Sequence, residues 1–172
     1  GLAAGEKNLA RLAEQVRKFD VPIVGTTGDG GLLRDALPQV DVIDGVDSAK
    51  QIASLPCEIV LNGITGSIGL GPTLAALQSG NTVALANKES LVAGGDLVMK
   101  FGKDRIIPVD SEHSALYQAL QSGRRSDVAK FILTASGGPF RERSDLSTVT
   151  VQEALAHPTW NMGQVVTINS AT

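Results

Sequence analysis

The sequence predicts an α/β fold in which a parallel sheet is covered by helices on both faces and is followed by the start of an α+β domain. Short, continuously apolar runs such as VPIVG (21–25), CEIVLNG (57–63) and NTVALAN (81–87) read as strands buried on both sides. Between them lie stretches with helical spacing, so strand and helix alternate as in repeated βα units. Past residue 110 that rhythm breaks into longer polar stretches, which marks a second domain.

The elements follow in order. GLAAGEKN (1–8) reads as the end of a strand, and Leu9, Leu12, Ala13 and Val16 give one apolar face to a helix over 9–19. VPIVG is a strand, GGLLRDAL a helical turn or two, and VDVIDG (40–45) the next strand. A short helix over 49–55 leads to CEIVLNG. The helix over 69–79 carries Pro72 in its first turn, where the missing N–H costs little. NTVALAN is a strand, 90–101 a helix, and RIIPVD (105–110) a strand. The boundary is expected near 109–111, dividing the chain into 1–109 and 110–172. Beyond it, 111–121 is a helix, KFILTAS (130–136) a strand ending in the glycine turn SGGPF, and GQVVTINS (163–170) the start of another strand. The polar stretch 141–161, with a short helix near 151–156, is long enough to be a lid. Crossovers between parallel strands should be right-handed.

Composition excludes some functions. A chain of 172 residues can hold one sizeable domain or one and part of another. A net charge of −3 leaves no concentrated basic face, so nucleic acid is not an expected partner. No apolar run approaches the roughly 20 residues of a membrane span. The single cysteine, Cys57, reads as a buried strand residue and cannot form an internal disulfide; a reducing, cytoplasmic setting fits. No secretory signal is read, and the chain is expected to begin mid-fold.

Two strand exits carry the chemistry. LANKESLV delivers Asn87, Lys88 and Glu89, and VDSEHSA delivers Asp110, Ser111 and Glu112, to the carboxyl edge where parallel sheets bind ligands. Two hard carboxylates and a cation suit an anionic substrate and a divalent metal such as magnesium or manganese, with a third metal ligand to come from elsewhere. The plainer alternative is that Asp110 or Ser111 caps a helix, that Glu112 complements its dipole, and that Lys88 is a solvated surface lysine. GITGSIG (63–69), between strand and helix, has the setting of a nucleotide-binding turn, although Lys88 stands where an acidic residue would be usual. Ser136, Gly137 and Gly138 could form an anion-binding nest or an ordinary turn. His157 is an exposed loop histidine or a ligand contact, and His113 a helix-surface or supporting residue. Trp160 and Met162 could close over a ligand or simply pack locally.

Taken together, NGITGSIGLGPTLAAL, LANKESLV, PVDSEHSA, LTASGGPFR, HPTWNMG and INSAT resemble the 1-deoxy-D-xylulose 5-phosphate reductoisomerase family across essentially the whole chain and in the same order. The resemblance implies a Rossmann-like NADPH-binding domain over 1–109 and the start of a catalytic, metal-binding domain over 110–172. It implies conversion of 1-deoxy-D-xylulose 5-phosphate to 2-C-methyl-D-erythritol 4-phosphate in non-mevalonate isoprenoid synthesis, with NADPH and manganese, magnesium or cobalt. By resemblance Asp110 and Glu112 are metal ligands. Lys88, Ser111, Glu112, Ser136, His157 and Ser170 match substrate positions, with Lys88, Asp110 and Glu112 catalytic. Gly5, Lys7, Asn8, Asn87, Glu89 and Gly163 match NADPH contacts, and Trp160 and Met162 the lid. GITGSIG then becomes a loop near the nicotinamide rather than the pyrophosphate turn. The family also implies a homodimer, a glycine-rich turn ahead of residue 1 and a further metal ligand beyond residue 172, so this stretch alone is expected to be nearly inactive. The alternatives are a non-catalytic Rossmann-like ligand-binding domain and a different NAD(P)-dependent dehydrogenase, which would need another explanation for VDSEH.

Overall fold

A computed structural model describes residues 1–134 and 137–171, apart from the side chain of Asn169. The chain forms two compact units, Gly1–Ile107 and Pro108–Thr172.

The first unit is a Rossmann-like α/β arrangement of two parallel three-stranded sheets. In chain order it runs β1 (Leu2–Ala4), α1 (Leu9–Lys18), β2 (Ile23–Thr26), α2 (Gly30–Ala36), β3 (Asp41–Asp44), α3 (Ser48–Ala53), β4 (Ile59–Asn62), α4 (Leu70–Gln78), β5 (Thr82–Leu85), α5 (Glu89–Val98) and β6 (Ile106–Pro108). The sheet orders are β1-β2-β3 and β4-β5-β6. Strand alternation explains the layers. Val24, fully buried, joins Leu12, Ala13 and Val16 of α1 and Leu33 of α2 in one core. Its neighbour Gly25 faces the other way, where α3 lies so close that a Cβ would sit 2.8 Å from Ile52 Cγ1. The second sheet packs Val60, Val83 and Leu85 against Ala76 and Leu77 of α4 and Val98 of α5. The alternate residues of β4, Ile59 and Leu61, are 54% and 67% exposed.

The joints between elements follow local chemistry. Asn8 and Asp29 cap α1 and α2, their side chains accepting from the N–H groups of Arg11 and Gly31. After α1 the chain turns at Asp20, whose φ of 49° lies in the left-handed region that aspartate tolerates. Buried Asn81 donates to the carbonyls of Ala53 and Leu55 and accepts from the N–H of Cys57, fixing the connection into β4. Cys57 is therefore not the buried strand residue its neighbours suggest. It lies in the turn ahead of β4 and is exposed.

The second unit holds α6 (Ser111–Leu120), α7 (Val151–Ala154) and α8 (Gln164–Asn169). Both strands expected here are absent among the described residues. Over 130–134 the chain is irregular, with Phe131, Ile132 and Leu133 exposed, because β-propensity is realised only with a neighbouring strand to pair against. GQVVTINS forms helix α8 instead. Thr167 Oγ1 donates to the carbonyls of Met162 and Gly163, and Ser170 Oγ to that of Val166, so the polar side chains are satisfied within the turn. Branched residues cost a helix only about 0.7 kcal/mol each, which such contacts offset.

The stretch 141–161 is held by a clasp. Thr150 and Glu153 form a capping box at α7, and Arg143 donates to Glu153 Oε1 (2.9 Å), Thr148 Oγ1 (3.0 Å) and the Asp145 carbonyl (3.0 Å). The Thr150 N–H and hydroxyl, and then Arg143, hold the Glu153 carboxyl down at about 2 from its ordinary 4.5.

Two outcomes are expected. Leu77→Ala, which empties a fully buried site, should lower the unfolding free energy by about 2–5 kcal/mol in urea denaturation. Because the folded pKa of Glu153 lies below its unfolded value, its contribution is present at neutral pH and is lost as pH falls from about 4.5 towards 2. An NMR titration should place its midpoint near 2, and Arg143→Gln should leave it below the ordinary range, since both Thr150 contacts remain. A midpoint near 4.5 in the unsubstituted protein would show that the clasp does not form.

Candidate functional site

In the first unit the candidate residues stand at the carboxyl ends of parallel strands, where the first turns of the following helices point their N–H groups. At the end of β1, Gly5, Lys7 and Asn8 line one cleft of about 480 Å³ together with Arg11, Gln15 and Thr27. The cleft thus carries two cations, Lys7 and Arg11, and one carboxylate, Glu6. Arg11 drew no notice in the sequence, since it reads there only as one polar position of an amphipathic helix. Asn8 also caps α1 through its Oδ1.

At the end of β5 the chain passes through Asn87 and Lys88 into α5, with Glu89 in the first helical turn, where a carboxylate is favoured. Beside it, GITGSIG leaves β4 and enters α4 through one tight turn at 67–69, with Gly66 at φ 81°. The two turns interlock. A Cβ on Gly69 would lie 2.8 Å from Asn87 Nδ2 and 2.9 Å from the Ile64 carbonyl oxygen.

In the second unit Asp110 and Glu112 both lie at the amino end of α6. Asp110 is its N-cap: Oδ2 accepts from the His113 N–H (3.3 Å) and lies 2.5 Å from His113 Nδ1. Glu112 Oε2 accepts from Ser111 Oγ at 3.0 Å. Ser111 and Glu112 line a cavity of about 270 Å³ with Ala115, Leu116 and residues 132–134. The structure shows the capping role of Asp110, with His113 against its carboxylate. Among the described residues no group of three or more His, Cys, Asp or Glu side chains is placed to hold a metal ion. The donor set that is present, two hard carboxylates two residues apart, has the chemistry of a partial magnesium or manganese shell.

The remaining candidates also fall in this unit. Gly137, at φ 71°, and Gly138 bring the glycine turn onto the end of α8; any side chain at 138 would collide with the backbone of Ser170 and Ala171. The Phe140 N–H donates to the Ala171 carbonyl at 3.0 Å. Gly138 and Ser170 are thus neighbours, whereas Ser136 lies outside the described residues. His157 is the least expected of the group. Its Nδ1 accepts from the N–H groups of Thr159 (3.1 Å) and Trp160 (3.0 Å), which makes Nε2 the protonated donor, and that atom is buried without a partner among the described residues. A buried donor of this kind calls for an acceptor such as a phosphate oxygen. Trp160 is 58% exposed, and Gly163 begins α8.

The sequence match is extensive. Residues 1–95 match the family model of 1-deoxy-D-xylulose 5-phosphate reductoisomerase, and residues 106–172 that of the reductoisomerase C-terminal domain. The chain is 52% identical to the reductoisomerase of Streptomyces avermitilis, covering 100% of this chain and 47% of that protein. It is 53% identical to that of Beutenbergia cavernae, covering 100% and 46%. Among solved structures, a DOX-P reductoisomerase in complex with NADPH, fosmidomycin and magnesium superposes with a TM-score of 0.75 at 34% identity, over 98% of this chain and 47% of that one. The Zymomonas mobilis enzyme in complex with NADPH gives 0.78 at 34%, over 99% and 46%. The chain spans about half the length of these relatives. With matching motifs at both strand exits and matching folds beneath them, the chain belongs to the 1-deoxy-D-xylulose 5-phosphate reductoisomerase family.

Proposed function

We propose that this chain provides the greater part of the NADPH domain and the first part of the catalytic domain of a reductoisomerase. The reaction is conversion of 1-deoxy-D-xylulose 5-phosphate to 2-C-methyl-D-erythritol 4-phosphate, dependent on NADPH and a divalent metal. The observation that carries this reading is the carboxylate pair on the first turn of α6, beside a cavity, in a chain about half identical to reductoisomerases over its whole length. The same family implies a homodimer working in the cytoplasm, and no helix among the described residues is long and apolar enough to cross a membrane.

Each residue has a role that its setting supports. Lys7 and Arg11, on the cleft at β1, are suited to the phosphates of NADPH, with Gly5 letting the backbone come close and Asn8 holding the helix end. By the family resemblance Asn87, Glu89 and Gly163 are assigned to NADPH. Asp110 and Glu112 hold the metal, which when bound acts as a Lewis acid on the substrate oxygens. Asp110 is oriented for this by its contact with His113, which leaves the capped helix to fix the direction of the carboxylate. Lys88 binds substrate and places positive charge where the reacting oxygen becomes negative. Ser111 binds substrate beside the carboxylates. The phosphate end falls to Ser136, Ser170 and His157, whose Nε2–H supplies a directed hydrogen bond. Trp160 and Met162 close the loop over the substrate and exclude water.

Three measurements test this. In the longer reductoisomerase that carries these residues, steady-state NADPH oxidation should require both the sugar phosphate and manganese or magnesium; turnover in the presence of a strong chelator would overturn the metal's part. Asp110→Asn should weaken metal binding by calorimetry and lower kcat by about a hundredfold or more, since an amide is a neutral and poorer ligand. Trp160→Ala should act mainly on substrate KM, by about tenfold, with a smaller effect on NADPH affinity.

A further inference from the structure

Asn87 is 2% exposed, and its amide makes every hydrogen bond it can. Nδ2 donates to the carbonyls of Ile64 and of Gly66 (2.8 Å for the latter), and Oδ1 accepts from the Ser90 N–H (2.8 Å) and from Ser90 Oγ (2.5 Å). Behind it runs a line of buried groups. Ser90 Oγ lies 3.3 Å from Thr73 Oγ1, and Thr73 Oγ1 lies 3.0 Å from the Gly69 carbonyl. Asn62 Nδ2 donates to both Thr73 Oγ1 and the Gly69 carbonyl, each at 2.8 Å, while its Oδ1 accepts from the Ile64 N–H at 3.0 Å. Thr73 and Ser90 are 0% exposed and Asn62 is 3% exposed.

A threonine hydroxyl bonded to the carbonyl four residues back is common in any helix. What sets this group apart is its span and its endpoints. Three side chains, from the end of β4, from α4 and from the β5–α5 turn, converge on the carbonyls of Ile64, Gly66 and Gly69, all in the GITGSIG loop, and Ser90 of α5 holds the third of them, Asn87. In a trans peptide the N–H points opposite to the carbonyl, and the described chain has no cis bond. With the carbonyls of Ile64 and Gly66 drawn inward, the N–H groups of Thr65 and Ser67 are turned away from the network.

We infer that Asn62, Thr73 and Ser90 are positioning residues, Ser90 acting through Asn87 and Asn62 and Thr73 through the Gly69 carbonyl, and that the Asn87 side chain serves NADPH by setting the peptide planes of the 63–69 loop rather than by touching the cofactor. An amide with all four of its bonding positions filled has none to give to a ligand. The loop's Thr65 and Ser67 N–H groups are the donors it presents, to acceptor oxygens of the bound dinucleotide. This rests on the reading of the chain as an NADPH-dependent reductoisomerase.

The test pairs hydrogen exchange with kinetics in the reductoisomerase that carries these residues. In the unsubstituted protein NADPH should slow exchange at the amides of Thr65 and Ser67. Thr73→Val, isosteric but without the hydroxyl, and Ser90→Ala should each abolish that slowing and raise KM for NADPH by about tenfold, with the loss falling on KM more than on kcat. Thr73→Ser should restore both. If Thr73→Val and Ser90→Ala keep the unsubstituted KM and the same protection at Thr65 and Ser67, the inference is overturned. A lowered Tm with unchanged KM overturns it equally, since the network would then serve packing alone. An unsubstituted protein that binds no NADPH sinks the functional reading instead, and this inference with it.

Discussion

A buried amide seeks partners for two donor hydrogens and two acceptor lone pairs, and the first unit is arranged around three: Asn87 fills all four positions, Asn62 and Asn81 three each. Asn62, Asn81 and Asn87 are each 2–3% exposed, and each sits where a strand meets a turn. Leaving one donor or acceptor unmet would cost about 1–3 kcal/mol, comparable with the loss of a buried methyl pair, so each amide dictates the path of the backbone beside it. Asn81 ties the entry of β4 to the start of β5, while Asn62 and Asn87 bind their exits together. The apolar cores of α1–α2 and α4–α5 supply the stability of the layers. The amides decide where the loops at the ligand edge lie.

Much of this was legible in the residues themselves. The βα rhythm located the strands and α-helices of the first unit, although the apolar run of β4 did not mean burial on both sides, since Ile59 and Leu61 stay exposed. The second unit was read less well. KFILTAS and GQVVTINS have branched residues in strand-like number, but strand formation depends on a partner edge, and hydroxyl contacts within one turn turned the second into a helix. Cys57 misled for a related reason: its apolar neighbours belong to β4, while the residue itself belongs to the turn tethered by Asn81.

The candidate site divides in the same way. Asp110, Glu112, Lys88 and the glycine turns could be picked out because their residue types and positions at strand exits carry a chemical meaning by themselves. Glu153 could have been found from the spacing of Thr150 and Glu153, which has the form of a capping box, whereas the part of Arg143 is set by the fold. Thr73 and Ser90 offered no such signal, since a hydroxyl on a helix acquires significance only from what it meets across the fold. The direction of the His157 ring was likewise invisible, being set by two backbone N–H groups of its own turn.

The uncovered side of β4 bears on how the molecule behaves in bulk. Ile59 and Leu61 stand together on the open face of a strand at the margin of its sheet, a combination that attracts further strands as readily as it attracts detergent or chaperone surfaces. Solubility should therefore respond to whatever occupies this seam.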